Sequence, residues 1–226
     1  MLPPSAAPAF TAAPQSARAA RTRAALVGAG LDLLADRPVE AISVDELVGA
    51  AGVAKGSFFN HFAHKQAFAA AIAETIRADL ETRVAAFNAA EADPLQRLTG
   101  GMIVAAAFAA SEPRRTMILS RHAASLTPHD HALNDGVVAD LGAVIAAGLA
   151  SPGGERGAVL FWLGCCHTLI SALIMAPADH AAVVPALADM LRLALRGLGV
   201  AAPAIAELTR PDRLAARLDR ALRQPG

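Results

Sequence analysis

The chain has no tyrosine and one tryptophan, and aromatic residues make up only 4% of its 226 positions. Strand formers never gather in alternating runs, which argues against a sheet, since a half-buried strand needs apolar residues at every second place. Cysteine is nearly absent too. The two that occur, Cys165 and Cys166, are adjacent in an apolar helical run, where their side chains diverge too far to pair with each other. A reducing cytoplasm is the setting expected from that usage. There is no excess of either charge, with 20 basic and 20 acidic residues. The chain is therefore not basic throughout, as many nucleic-acid binders are, although a larger acidic partner domain can cancel a local positive face in the sum. No continuous apolar stretch of about 18–20 residues is free of polar interruptions, so no membrane span or membrane partner is expected. Residues 1–23 are rich in Pro and Ala with arginines at the far end, the reverse of a secretory leader. A disordered arm over residues 1–19 is the simpler expectation.

What remains is abundant Ala and Leu within a hydrophobic content of 54%, and both residues form helices well. An all-α fold is predicted. The first helix is expected over about residues 21–34, with Leu26, Val27, Gly30, Leu31 and Leu34 on one face. Ser43 is placed to cap a second helix, with Glu46 closing the box from the third helical position. Gly52 turns the chain, a third helix covers about 54–60, and a fourth, longer one runs from about 63 to 87. Asp93-Pro94 then repeats the cap-and-proline signature, with helices expected at about 94–110, 113–124, 128–149, 155–175, 180–199 and 203–223. The division that follows is an arm at 1–19, a small helical module at 20–67 and a larger helical domain at 68–226.

Residues 42–68, ISVDELVGAAGVAKGSFFNHFAHKQAF, set two short helices around a glycine turn. A helix-turn-helix pushes the second of such a pair into the major groove of DNA. This stretch resembles the N-terminal domain of the TetR family of bacterial transcriptional repressors. It shares the Ser-opened helix, the Ala-Gly-Val turn, the Lys-Gly-Ser-Phe recognition helix, and the His-Phe and Lys that precede a long connecting helix. The resemblance implies backbone contacts from Ser43, Ser57, Phe59, His61 and Lys65, with Lys55 and Gly56 nearest the base edges. Lys55 can donate to guanine O6 or N7, and Gly56 has no side chain to obstruct approach. Two positions depart from the family pattern. Phe59 stands where Tyr is usual and loses a phosphate hydrogen bond, and Ala54 stands where Ser or Thr usually caps the recognition helix. Phe58 and Phe62 are expected in the core. Arg18, Arg21 and Arg23 form either a soluble tail or an arm that reaches the minor groove.

Beyond the motif the resemblance is one of length and helical pattern, and it implies a ligand-binding and dimerisation domain. The dimer contact is expected on 155–175 and 180–199, where Gly157, Gly164, Thr168 and Ala172 alternate with Leu160, Phe161 and Leu169. Met102, Phe108, Met117, His122, Phe161, Trp162 and Cys165 are the candidate ligand contacts, suited to a small, mostly apolar effector. His122, His129 and His131 do not have the spacing of a compact metal set, and Cys165-Cys166-His167 lacks the orienter and oxyanion turn of a thiol enzyme. No metal, cofactor or reaction is expected. The expected function is a homodimeric, ligand-released regulator on a palindromic double-stranded operator; an activator or DNA-organising protein without ligand release is the alternative.

Overall fold

The structure, a computed structural model, describes residues 13–122, 128–175 and 180–224. Every regular element among them is helical. The chain divides into two compact units, Met1–Phe68 and Ala69–Gly226.

The first unit contains α1 (Ala13–Asp36), a 3₁₀ turn (Val39–Ala41), α2 (Val44–Ala51), α3 (Lys55–Phe59) and the first turn of α4 (Lys65–Asn88). Its core is Leu26, Leu34, Ile42, Leu47, Phe58, Phe62 and Phe68, all buried. The phenylalanines pack edge to face, with the Phe58 ring 5.5 Å from Phe68 and Phe62 4.9 Å from Phe68. That geometry suits the ring quadrupoles and adds to simple burial. α1 begins at Ala13, so residues 13–19, expected in the arm, are helical. Ala and Arg favour helix, and no capping residue stops it before Asp36.

In the second unit α5 (Pro94–Ser111) is the central element. Asp93 caps it by accepting from the Gln96 backbone N–H at 3.0 Å, and Pro94 occupies the first helical position, where its missing N–H costs nothing. Nearly every residue from Leu98 to Ala109 is buried, because helices pack on it from all sides. These are α6 (Pro113–Arg121), α7 (Asp135–Ala146), α8 (Glu155–Met175), α9 (His180–Gly197) and α11 (Pro211–Leu222). α11 is tied to α5 through Arg217, which donates to Thr99 Oγ1 at 2.9 Å and to the Gln96 carbonyl at 2.7 Å. Burial holds its guanidinium down to about 10.

Two expected helices open or break differently in the structure. The one expected over 128–149 opens with a 3₁₀ turn, Ala132–Asn134, and becomes α-helical only at Asp135. His131 caps that turn through Nδ1, which accepts from the Leu133 N–H at 3.2 Å; Thr127, the expected cap, lies outside the described residues. The one expected over 203–223 is two helices, α10 (Ala202–Leu208) and α11. Pro211 forces Arg210 before it into an extended conformation with ψ 130° and so ends the first helix. α8 keeps its expected bounds, Glu155–Met175. It has 21 residues and contains an 18-residue window of mean hydropathy 2.0, which meets the length and composition of a membrane-crossing helix. His167, Thr168 and Ser171 interrupt it too weakly to lower the average. Its apolar residues divide between the bundle core, taken by Val159, Trp162, Leu169 and Leu173, and one exposed face.

Candidate nucleic-acid interface and cavity

The turn between α2 and α3 is built on local chemistry. Ser43 caps α2 by accepting from the Glu46 N–H at 3.1 Å. Glu46 does not close the box as expected; its carboxylate takes the Arg37 guanidinium, and that hydrogen bond holds its pKa below the usual carboxylate value. Gly52 ends α2 at φ 65°, a left-handed conformation in which a Cβ would be strained. Ala54 opens α3 from an extended conformation with no side-chain cap, in keeping with the departure noted in the sequence.

α3 consequently presents Lys55, Gly56, Phe59 and Asn60 to solvent while Phe58 turns inward. Phe59 is 54% exposed, an unusual place for a bare aromatic ring on a small helical unit. A Cβ at Gly56 would meet open space, so nothing inside the protein requires glycine there. Ser57 and His61 are half-buried beside this face. The Lys55 ammonium lies 2.9 Å from Asp45, an exposed pair weak enough to exchange for a stronger anion. Arg18, Arg21 and Arg23 are exposed along α1, and the Arg23 guanidinium sits 5.8 Å from the Phe62 ring centroid.

Lys65 has a second task. Its ammonium donates to the Ile42 carbonyl at 2.6 Å and to the Glu40 carbonyl at 3.2 Å, which satisfies backbone groups just before α2. An ammonium has three donors, so one remains for a phosphate. Lys65→Met is therefore expected to cost about 1–3 kcal/mol of stability, the value of hydrogen bonds from a charged group. Denaturant melts of the wild type and variant check this; an unchanged midpoint would leave Lys65 a surface cation only.

In the second unit a cavity of about 360 Å³ opens between α4, α5, α6, α7 and α8. Its apolar wall includes Leu80, Val84, Leu98, Val137, Trp162 and Ile170. Its polar groups come as pairs. Arg77 binds Glu81 one turn along α4, and Arg97 Nε donates to Asp140 Oδ1 at 2.8 Å across to α7. Burial raises the Glu81 pKa above the usual value, opposed by Arg77 and reinforced by the negative charge of Asp140. Cys166 lines the same cavity, and burial pushes its thiol up to about 12. Burial raises Cys165 as well, so both stay in the weakly reactive protonated form near neutrality. Among the described residues no three His, Cys, Asp or Glu side chains gather in a group that could hold a metal ion.

Of the seven ligand contacts expected from sequence, the cavity receives Trp162. Met102 and Phe108 are buried core residues on other faces of α5. Met117 and His122 are half-buried near the end of α6, Phe161 is 42% exposed on the outer face of α8, and Cys166 lines the wall in place of Cys165. The shift from 161 to 162 and from 165 to 166 is one residue each, about 100° around a helix, and it exchanges the inner face for the outer. Arg77, Glu81, Arg97 and Asp140 were not anticipated. A signal existed in the stripe 77, 80, 81, 84, 85, 88 on α4, whose i, i+3, i+4 spacing joins a charged pair to an apolar face.

α2, the turn at Gly52 and the exposed α3 have the arrangement of a helix-turn-helix. Residues 26–72 match the family described as bacterial regulatory proteins, tetR family. A comparison with curated protein sequences returns no match. Among solved structures, a TetR-family transcriptional regulator from Pectobacterium atrosepticum is 21% identical, with a TM-score of 0.61, covering 80% of this chain and 96% of its own. A gamma-butyrolactone receptor (ArpA-like protein) is 24% identical, with a TM-score of 0.56 over 90% of this chain and 98% of its own. RolR in complex with resorcinol is 20% identical, with a TM-score of 0.59 over 86% and 95%. At these identities the likeness establishes the fold.

Proposed function

We propose that the protein is a ligand-responsive transcriptional repressor that binds a palindromic operator as a homodimer and leaves it when a small effector fills the cavity. One observation carries this reading. α4 is a single 24-residue helix whose first residue, Lys65, belongs to the helix-turn-helix and whose Arg77, Glu81, Val84 and Asn88 line the cavity. An effector that favours one placement of α4 shifts the population between DNA-competent and DNA-incompetent states by its differential affinity for the two. Two structures of this fold, described as a gamma-butyrolactone receptor and as a complex with resorcinol, support a small-molecule effector.

The dimer contact in this reading is the outer face of α8 with α9. Gly157, Phe161, Gly164, Thr168, Ala172 and Met175 recur at helical spacing, all exposed and uncharged. Leu160 and, on α9, Leu193 extend the same surface. Four of the six large apolar side chains exposed among the described residues lie on these two helices, a concentration that favours burial against a second copy. On DNA the two recognition helices of such a dimer enter successive major-groove faces about 34–36 Å apart. Ser43, Ser57, Phe59, His61 and Lys65 hold the phosphate backbone in this reading, and Lys55 and Gly56 face the bases.

Mobility-shift titration against the DNA flanking its own gene tests the proposal. Lys55→Ala is expected to cost about 1–3 kcal/mol and to relax discrimination at one or two operator positions. Equal affinity of the wild type for its own promoter and for scrambled DNA at physiological salt would overturn the reading.

A further inference from the structure

The cavity wall contains two guanidinium groups and two carboxylates, and each cation already has its anion. Arg77 is matched by Glu81, and Arg97 by Asp140. Arg77 also donates to Asn134 Oδ1, and Arg97 Nη1 to the Asn88 carbonyl at 3.3 Å, so both guanidinium groups are held within the wall. A ligand bearing a full negative charge would add an anion beside Glu81 and Asp140 with no uncommitted guanidinium in the wall to receive it. A cationic ligand would have to draw a carboxylate from its arginine. Either change leaves a charge poorly compensated in a largely apolar space, which is costly.

The groups left over in the wall are mainly acceptors. Each arginine binds one oxygen of its carboxylate, Oε1 of Glu81 and Oδ1 of Asp140, so among the described residues Glu81 Oε2 and Asp140 Oδ2 remain to accept. Asn88 and His167 complete the polar part of the wall. The volume of about 360 Å³ lies toward the lower end of ligand pockets, which run from roughly 300 to 1,000 Å³.

We infer that the cavity selects a compact, uncharged, hydroxyl-bearing molecule with an apolar body, and discriminates against carboxylates and amines of the same shape. The inference rests on the reading of this cavity as the effector site. The apolar body lies among Leu80, Val84, Leu98, Trp162 and Ile170, and the hydroxyl donates toward the acceptors of the paired wall. Discrimination arises from the existing ion pairs, because a site whose charges are already balanced makes any further charge the unpaired one.

Trp162 is the only tryptophan in the chain and lines the cavity, so its fluorescence reports occupancy without a label. The full-length protein is titrated at neutral pH with para-butylbenzyl alcohol, para-butylbenzoate and para-butylbenzylamine, three probes that share one skeleton and differ in charge. The alcohol is expected to change the Trp162 signal saturably and to bind at least tenfold tighter than either charged probe. Gly101→Leu places a side chain in the cavity, and a Cβ at that position meets its nearest neighbour, Val84, at an ordinary 3.9 Å. It is expected to abolish the saturable change while the melting curve stays cooperative. Asp140→Asn unpairs Arg97 and is expected to narrow or reverse the preference of alcohol over carboxylate. Carboxylate or amine binding as tightly as the alcohol in the wild type, or an unaltered preference in Asp140→Asn, would overturn the inference and leave the effector reading standing. A saturable response to none of the three probes, or one that survives Gly101→Leu, would instead overturn the reading of the cavity as the effector site.

Discussion

Replacing Phe161 by glutamate is expected to break the proposed dimer into monomers without unfolding the protein. Phe161 is 42% exposed at the centre of the uncharged face of α8, and its ring lies over Gly197, where an added Cβ would come within 2.5 Å of it. That glycine leaves room for the tip of the ring against α9. In a two-fold interface each residue counts twice. Burial of a whole phenylalanine contributes about 1.5–3 kcal/mol, and with 42% of Phe161 left to bury the loss from both copies amounts to roughly 1–3 kcal/mol, or about 10–10² in the dimer dissociation constant. Apposed carboxylates add repulsion. Operator affinity should fall with it, since one half-site offers half the contacts. Sedimentation equilibrium at micromolar concentration, with a thermal melt as control, is the measurement; a dimer of unchanged strength would remove this face from the model of assembly. Leu169, eight residues along the same helix, provides the contrast. It is buried in the bundle, so Leu169→Asp is expected to unfold the second unit.

Phe58→Ala is expected to destabilise the helix-turn-helix unit by about 3–5 kcal/mol, the usual cost of removing a buried phenylalanine. Its ring is fully buried and stands 5.4 Å from Phe59, 5.6 Å from Phe62 and 5.5 Å from Phe68. It joins α3 directly to Phe68 in the first turn of α4, and Phe62 bridges the same two rings. α3 has only five residues, too few to persist as an isolated helix, so it depends on this packing. A loss of 3–5 kcal/mol is a large part of the whole stability of a small domain, about 5–15 kcal/mol. Sequence-specific DNA binding should disappear while Trp162 fluorescence, which reads the other unit, keeps its native emission. Operator binding retained at wild-type affinity would show that α3 is held by something other than this cluster.

Legibility in the sequence followed the range of the interactions. The Ser43 cap, the left-handed turn at Gly52 and the Asp93-Pro94 helix start were all readable, because each depends on atoms within three or four residues of one another. Where a local signal failed, a longer-range partner had won. Glu46 stands at the capping-box position, yet its carboxylate is taken by Arg37, nine residues earlier. Lys65 looks like a surface cation for phosphate, yet it also satisfies the carbonyls of Glu40 and Ile42.

The sequence by itself determined the helical class, the helix-turn-helix and the residues that α3 exposes, since the 3.6-residue period and the glycine turn set which side chains of so short a helix face outward. Which face of α8 lines the cavity was decided only by the tertiary structure. That helix is apolar on both sides, so periodicity carries no sign to tell Phe161 from Trp162. The pairing of Arg97 with Asp140, 43 residues apart, was likewise beyond local reading. A charge viewed alone reads as solvated surface, and only the packing of α5 against α7 brings the two together in the wall of a cavity.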